Sequence, residues 1–292
     1  MSLRQLFALS NMEIMNEYRR VMRNCSSPKS SNATLASVDG WGITSPTLPA
    51  AINAIADLAE RGQSYTVFTL NLDHIVKLRR DPAFRDAYKT ASLVTADGAP
   101  VAWLSRQQGA AISRTTGADL VLPLIDEAAR RQIPVYLFGS SGDVLAKASR
   151  AFVDRTSGLL DIAGTDAPAH AFDPAGQEAD AAIARIAASG ARLAFVALGA
   201  PKQEIFAARA KAQGVACGFI CIGAALDFIV GKQLRAPEMM QRSGTEWLWR
   251  LATNPRRLAA RYASCAVILA DLTVVKPLRH KLAGRRRVSS AR

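Results

Sequence analysis

The sequence predicts an α/β protein: a Rossmann-like, mostly parallel sheet with helices on both faces, extended by a basic helical C-terminal appendage. Three observations predict it. From about residue 36 to 231, apolar β-branched runs alternate with segments of helical spacing. The strand-like runs are apolar at consecutive positions, as in strands covered by helices on both sides. Beyond Gly231 the pattern gives way to a basic, aromatic stretch punctuated by Pro237 and Pro255.

The elements follow in order. Residues 1–35 end in the Ser/Asn-rich "NCSSPKSSNAT" and read as a flexible leader. "YTVFTLN" (65–71) is a strand, followed by helical spacing through residue 91 with a break before Pro82. "SLVTAD" (92–97) is a strand that stops at Gly98, and residues 117–132 have apolar positions three and four apart, a helix. "PVYLFG" (134–139) is a strand, then a Gly-Ser-Ser-Gly turn and a helix over about 143–155. "DIAGT" is a short strand, "AGQEADAAIARIAASG" a helix ending at Gly190, "RLAFVALG" a strand, "PKQEIFAARAKAQG" a helix and "VACGFICIG" a strand. Residues 36–231 therefore read as one catalytic-type domain and 232–292 as an appendage and tail.

The charge is uneven. The chain of 292 residues carries +13. Residues 232–292 hold 14 Lys/Arg against 3 Asp/Glu, so nearly all the excess lies there and the body is almost neutral. A basic end of this kind attracts anionic lipid, nucleic acid or phosphorylated ligands. The four cysteines have neither CxxC spacing nor a His cluster, which argues against a zinc site or a disulfide framework. The first residues lack the long apolar core and cleavage site of a signal peptide. The longest late apolar run, "ASCAVILADLTVV", is 13 residues with Asp271 inside it. A span needs about 20, so no transmembrane helix is expected.

In parallel sheets covered on both faces, ligands sit at the carboxyl ends of the strands. Asn71, Asp97, Ser140, Ser141, Lys202, Gln203 and Asp227 follow strands and are the positional candidates. In "FVALGAPKQEIF", Pro201 suits the first helical position, where no N–H is needed. The N–H groups of Lys202, Gln203 and Glu204 would then be free and, with the Lys202 ammonium, form a site for a diphosphate. Each candidate has a structural competitor. Asp97 can cap the following helix, Asn71 can be a turn residue, and Asp227 reads as a structural carboxylate paired with an arginine. His74 is balanced between ligand contact and helix surface. Trp247 and Trp249 read as packing or interfacial anchors.

"TLNLDH" (69–74), "TADGAPV" (95–101), "RTTGADL" (114–120), "LGAPKQE" (198–204), "GAALDFIVGKQLRAP" (223–237) and "EWLWRLATNPRRLAARY" (246–262) occur in that order. As an ordered set they resemble the WecG/TagA/CpsF family of bacterial glycosyltransferases (glycosyltransferase family 26), over roughly residues 36–262. The resemblance implies an inverting, metal-independent enzyme. Such an enzyme moves a sugar from a UDP-sugar to a polyprenyl-diphosphate-linked saccharide at the cytoplasmic face of the inner membrane, as a peripheral protein. It implies Asp97 as the general base, with Thr69, Asn71 and Gln203 in the same pocket and appendage arginines gripping the diphosphate. The expected substrate-binding set is Thr69, Asn71, Arg114, Gly139, Lys202, Gln203, Glu204, Arg235, Arg250, Arg256, Arg257 and Arg261. No cofactor and no metal ligand is expected, and no D-x-D motif follows a strand. The partners implied are the UDP-sugar, the lipid-linked acceptor and an anionic membrane surface, with a homo-oligomer left open. Two departures fall in the appendage: Glu238-Met239-Met240 follows "RAP" where the family carries an aromatic, and Thr245 precedes "EW" where a bulky apolar residue is usual.

Two other readings compete. A nucleotide-dependent oxidoreductase would want a third glycine in "FGSSGDV", and it is not present. A nucleic-acid-binding protein would use the basic tail, but no helix-turn-helix or RNA-binding signature accompanies it.

Overall fold

A computed structural model of the chain describes residues 33–169 and 171–278, apart from the side chains of Arg242 and Arg257. By its contacts the chain divides into two units, Met1–Ala33 and Thr34–Arg292, and the description below is of the second. Most of the expected leader, Cys25, His170, and the end of the tail with His280 lie outside the described residues.

A hairpin, β1 (Ala36–Val38) and β2 (Trp41–Ile43), opens this unit. Its two-residue turn is Asp39-Gly40, both with positive φ, the conformation for which this pair is favoured. Thr44 and Ser45 then donate to the Val94 carbonyl. Helix α1 (Leu48–Glu60) follows, capped by the Thr47 side chain, with Pro49 in its first turn. Neither the hairpin nor α1 is among the elements expected from the sequence.

The body alternates as expected. β3 (Tyr65–Leu70) leads to α2 (Leu72–Leu78) and α3 (Pro82–Lys89), separated at the break before Pro82. β4 (Leu93–Ala96) leads to α4 (Ala99–Arg106) and α5 (Gly117–Arg131). β5 (Val135–Gly139), α6 (Gly142–Arg155), β6 (Ile162–Asp166), α7 (Gln177–Ala188), β7 (Leu193–Ala197), α8 (Lys202–Ala212) and β8 (Gly218–Cys221) complete it. Six strands form one sheet in the order β4-β3-β8-β7-β5-β6, and every pairing is parallel.

Two cores lie against it, one on each face. One gathers Phe68, Phe84, Tyr88, Phe138, Phe206 and Phe219, with Phe138 and Phe206 stacked at 4.4 Å. The other gathers Ile52, Ile55, Val67, Leu124, Leu137 and Phe195. Strands sandwiched between two cores have no wet face, which is why they read as unbroken apolar runs. Cys217 and Cys221 are buried members of the first core.

The chain continues through α9 (Ala225–Ile229), α10 (Glu238–Arg242), α11 (Glu246–Thr253) and α12 (Pro255–Ala270), which runs on as a π-helical turn, Asp271–Val275. Pro237 and Pro255 do mark helix starts. The expectation of no membrane-length helix needs correction. Leu258–Leu278, 21 residues, is long and apolar enough to cross a bilayer by length and composition. The 13-residue run, 263–275, has Asp271 inside it; the helix extends beyond that run at both ends, and the Asp271 carboxylate pairs with Arg79, 2.6 Å away on the body. Leu258, Cys265 and Ile268 are buried, Cys265 and Ile268 in the first core, whereas Val267 and Val274 face outward. Arg79 and Lys276 both bind Asp39 in the hairpin turn. Burial alone would raise the Asp39 carboxyl, but these two cations outweigh it and hold it below the usual range.

Candidate active site

β3 and β8, the first and last strands of the sheet in chain order, lie side by side in its interior. The loops leaving β4, β3, β8 and β7 at their carboxyl ends converge on one cleft of about 790 Å³. Asn71, Asp97-Gly98, Gly199-Ala200 and Ile222-Gly223 contribute its floor, and α11 and α12 its roof. The volume is in the range that encloses a drug-sized ligand.

Asp97 is placed by the sheet itself. Its N–H donates to the Leu70 carbonyl at 2.8 Å, extending the β3–β4 ladder by one residue. That register sets its carboxylate beside the two polar residues ending β3. Asn71 Nδ2 donates to Asp97 Oδ2 at 3.2 Å and Thr69 Oγ1 to the same oxygen at 3.5 Å. The helix after it is capped by Gly98, with no side-chain cap bond, so Asp97 is not a helix cap. Asn71 does two jobs: its Oδ1 caps α2 through the His74 N–H at 2.9 Å, while its amide holds Asp97. Burial pushes the Asp97 carboxyl up to about 6; Asn71 and the charge of Arg250 oppose that rise, and Asp119 and Glu246 add to it.

The β7–α8 turn differs from expectation. Pro201 follows a cis Ala200–Pro201 bond and precedes the helix, which starts at Lys202. The Gln203 N–H donates to the Gly199 carbonyl at 3.2 Å, and the Glu204 N–H bonds its own carboxyl group. Two of the three expected N–H groups are therefore already used within the chain. Glu204 is fully buried, so it is not a substrate-binding residue, and Lys202 does not line the cleft. Gln203, 3% exposed, does line it. Its amide is tied on both sides, Nε2 to Glu204 Oε1 at 2.8 Å and Oε1 to the Gly223 N–H at 3.0 Å. His74 also reaches the floor, with Nδ1 2.8 Å from the Tyr88 hydroxyl. Burial holds that imidazole neutral, down to about 3.

The roof is a set of cations already matched with carboxylates. Arg250 donates to Glu246 at 2.9 Å and lies over the Phe228 ring at 5.1 Å. Arg114 stands 3.9 Å from Glu246 and 3.8 Å from Asp119. Arg261 and Lys77 share Asp73, at 3.0 and 2.5 Å. Trp247 packs edge-on against Tyr262 and is 44% exposed.

Of the residues expected from the sequence, Thr69, Asn71, Asp97, Arg114, Gln203, Arg250 and Arg261 share this cleft. Others do not. Arg235 is drawn away to Asp119, 2.5 Å distant, the residue that also forms the capping box of α5 with Thr116. Arg256 is exposed in the first turn of α12 and outside the cleft, and the Arg257 side chain lies outside the described residues. Gly139 is a packing residue: a Cβ there would stand 2.6 Å from the Ala197 backbone. Asp227 is partly buried, and its partners are Ser140 at 3.1 Å, Gln233 at 3.3 Å and Lys232 at 4.0 Å rather than an arginine.

Sequence reasoning missed Glu246, Asp73, Phe228 and Tyr262. Glu246 carried a signal, an acid one helical turn before Arg250. Asp73 carried the same signal before Lys77. Among the described residues no group of three or more His, Cys, Asp or Glu could hold a metal ion. The sequence matches the family model described as Glycosyl transferase WecG/TagA/CpsF family over residues 36–283.

Proposed function

The chain belongs to the glycosyl transferase WecG/TagA/CpsF family, and is thus a glycosyltransferase of cell-surface polysaccharide synthesis; from that premise we propose that it takes the sugar from a UDP-sugar and places it, with inversion and without a metal, on a polyprenyl-diphosphate-linked saccharide. One observation carries the reading. A carboxylate with a raised pKa, Asp97, stands on the floor of the cleft while guanidinium groups line the roof. An inverting transfer needs both. The base accepts the proton of the acceptor hydroxyl as its oxygen attacks the anomeric carbon. The bond from that carbon to phosphate breaks and its electron pair leaves with UDP, whose new charge the cations balance. A carboxyl near 6 is mostly ionised at neutral pH and is a stronger base than an ordinary aspartate.

Arg250, Arg114, Arg261, Lys77 and Lys232 line the cleft and are the cations available to the diphosphate. Glu246 and Asp73, the carboxylate partners of the first four, occupy the positions that phosphate oxygens would take. Binding is then an exchange of one anion for another, with the roof held in place beforehand. The donor is a hexose or N-acetylhexosamine type. The outward side of the roof supports a peripheral location at the cytoplasmic face of the bacterial inner membrane. Met239 and Leu248 are exposed outside the cleft beside a strongly basic segment, and basic residues near an anionic leaflet gain about 1 kcal/mol each.

The test is release of UDP from a panel of UDP-sugars in EDTA, with and without a short polyprenyl-diphosphate-GlcNAc analogue. Acceptor-dependent release that is lost in Asp97→Asn supports the reading. Release that requires added divalent metal, or that survives in the variant, overturns it. Flotation with vesicles rich in anionic lipid, reversed by salt, tests the location.

A further inference from the structure

Gln203, like Asn71, is held at both ends of its side-chain amide, but its carboxylate partner lies in the core and not in the cleft. A side-chain amide has one carbonyl and two N–H groups, and its two orientations are close in energy unless the surroundings distinguish them. Here both ends are assigned. The Gly223 backbone can only donate, so the Gln203 oxygen faces it at 3.0 Å. The Glu204 carboxyl accepts, so the nitrogen faces that at 2.8 Å. The second N–H of Nε2 finds no acceptor among the described residues, and Gln203 lines the cleft. The pair that fixes the amide therefore leaves one donor for a ligand.

Packing does not account for Glu204. It is fully buried beside Phe206 in α8, and its Oε2 has no hydrogen-bond partner among the described residues. A buried polar oxygen without a partner is a net cost that an apolar side chain of the same size would remove. His74 approaches only to 3.8 Å from Oε1, beyond hydrogen-bond distance, and is held neutral. The contact within bonding distance of the Glu204 carboxyl from another side chain is the one to Gln203.

We propose that Glu204 is a positioning residue: it locks the Gln203 amide so that its remaining N–H is presented to an oxygen of the nucleotide-sugar donor. The proposal rests on the transferase reading above. Glu204 touches no substrate and acts only through Gln203. Its effect is accordingly on donor binding, and it vanishes when Gln203 is absent.

The experiment measures kcat and donor KM for the full chain and for Glu204→Met, Glu204→Gln, Gln203→Ala and the double variant Gln203→Ala/Glu204→Met. Met keeps the volume and removes the acceptor. Gln keeps both the volume and an acceptor oxygen. The expected result is a donor KM raised about tenfold in Glu204→Met with a smaller change in kcat, and recovery to within about threefold of wild type in Glu204→Gln. The double variant should match Gln203→Ala alone, because residues acting as one unit are non-additive. A Glu204→Met KM equal to wild type, or effects that multiply in the double variant, would overturn the proposal while leaving the transferase intact. If Glu204→Met does not fold, the side-chain amide resonances of Gln203 in wild type decide. They should shift on adding UDP-sugar without acceptor, and should not shift in Glu204→Gln without the same KM change; resonances unmoved by the donor overturn the proposal. Wild type inert toward every UDP-sugar would remove the transferase reading and this proposal with it.

Discussion

On the floor of the cleft, Thr69, His74 and Gln203 are each no more than 4% exposed and stand at or just beyond the ends of central strands. On the roof, α11 buries none of its residues, and Arg250 and Arg261 make their ion pairs at half-exposed positions. The two regions face one another across the same space but are held by different forces. The floor is fixed by ladder hydrogen bonds and by two apolar cores. The roof is fixed by partly hydrated ion pairs, individually worth about 1 kcal/mol or less. The difference teaches how the two tasks are divided. In the proposed mechanism, proton transfer needs a group held at one place, and the floor would supply it; diphosphate recognition needs charge that can change partners, and the roof would supply it.

The largest effect should separate activity from stability on the floor. Asp97→Asn is expected to lower kcat/KM about 10³-fold, the value of a positioned base. The same change should stabilise the fold. The folded-state pKa is raised, so the stability this group contributes is present below its unfolded value near 3.8 and is lost as pH rises through about 6. Removing the charge should therefore raise stability by about 2 kcal/mol at pH 8, a figure reduced for the water the open cleft admits. Thermal melting at pH 8 checks this, and a variant less stable than wild type would break the view of the floor as rigid but strained by charge.

Next comes the roof. Arg250→Ala is expected to cost about 10²-fold in kcat/KM, chiefly by weakening the hold on the diphosphate. Arg256→Ala, exposed and outside the cleft, should stay within about twofold of wild type. Similar losses in both would mean that the roof acts as a diffuse basic surface rather than through placed groups.

A third test is the pH profile. With Asp97 near 6, wild-type kcat/KM should fall about tenfold per pH unit below that value, because protonation removes the base. The residual activity of Asp97→Asn should show no such limb. A limb that persists in the variant would assign the titration to another group.

The smallest effect concerns how the roof is tethered. Asp39→Asn weakens the contacts to both Arg79 and Lys276 and should destabilise the fold by about 1 kcal/mol at low salt, less at 1 M salt. Because the Asp39 pKa is lowered, the contribution is present above its unfolded value and is lost as pH falls through the lowered one. Melting curves at two salt concentrations and at pH 3 and 7 measure both dependences.

Much of the floor was legible. Asn71 and Asp97 were marked by position alone, as polar residues directly after apolar runs, and the sheet brings them together. Gln203 was marked too, by its place after a strand and by the family resemblance, but the backbone N–H expected to bind an anion is used on Gly199. Glu204, its neighbour, reads identically in the sequence and is buried, because one residue along a helix turns the side chain by about 100°. The hairpin at 36–43 escaped because three-residue strands are too short to show a period, although Asp39-Gly40 was a turn signal. The arginines were the least legible. Arg235, Arg250 and Arg256 have the same chemistry, and the carboxylates that select among them come from residues 119 and 246, far apart in the chain.

The sequence by itself determined the layered α/β class and the polar set at strand ends. These depend on local runs and periods, which are properties of neighbours in the chain. Only the tertiary structure decided that Asp97 faces a cleft instead of capping a helix, that Glu204 is buried against the Gln203 amide, and that Asp271 in the C-terminal helix meets Arg79 of the body. Those outcomes depend on which groups meet across long stretches of chain, and hydrogen bonds and ion pairs act only at contact.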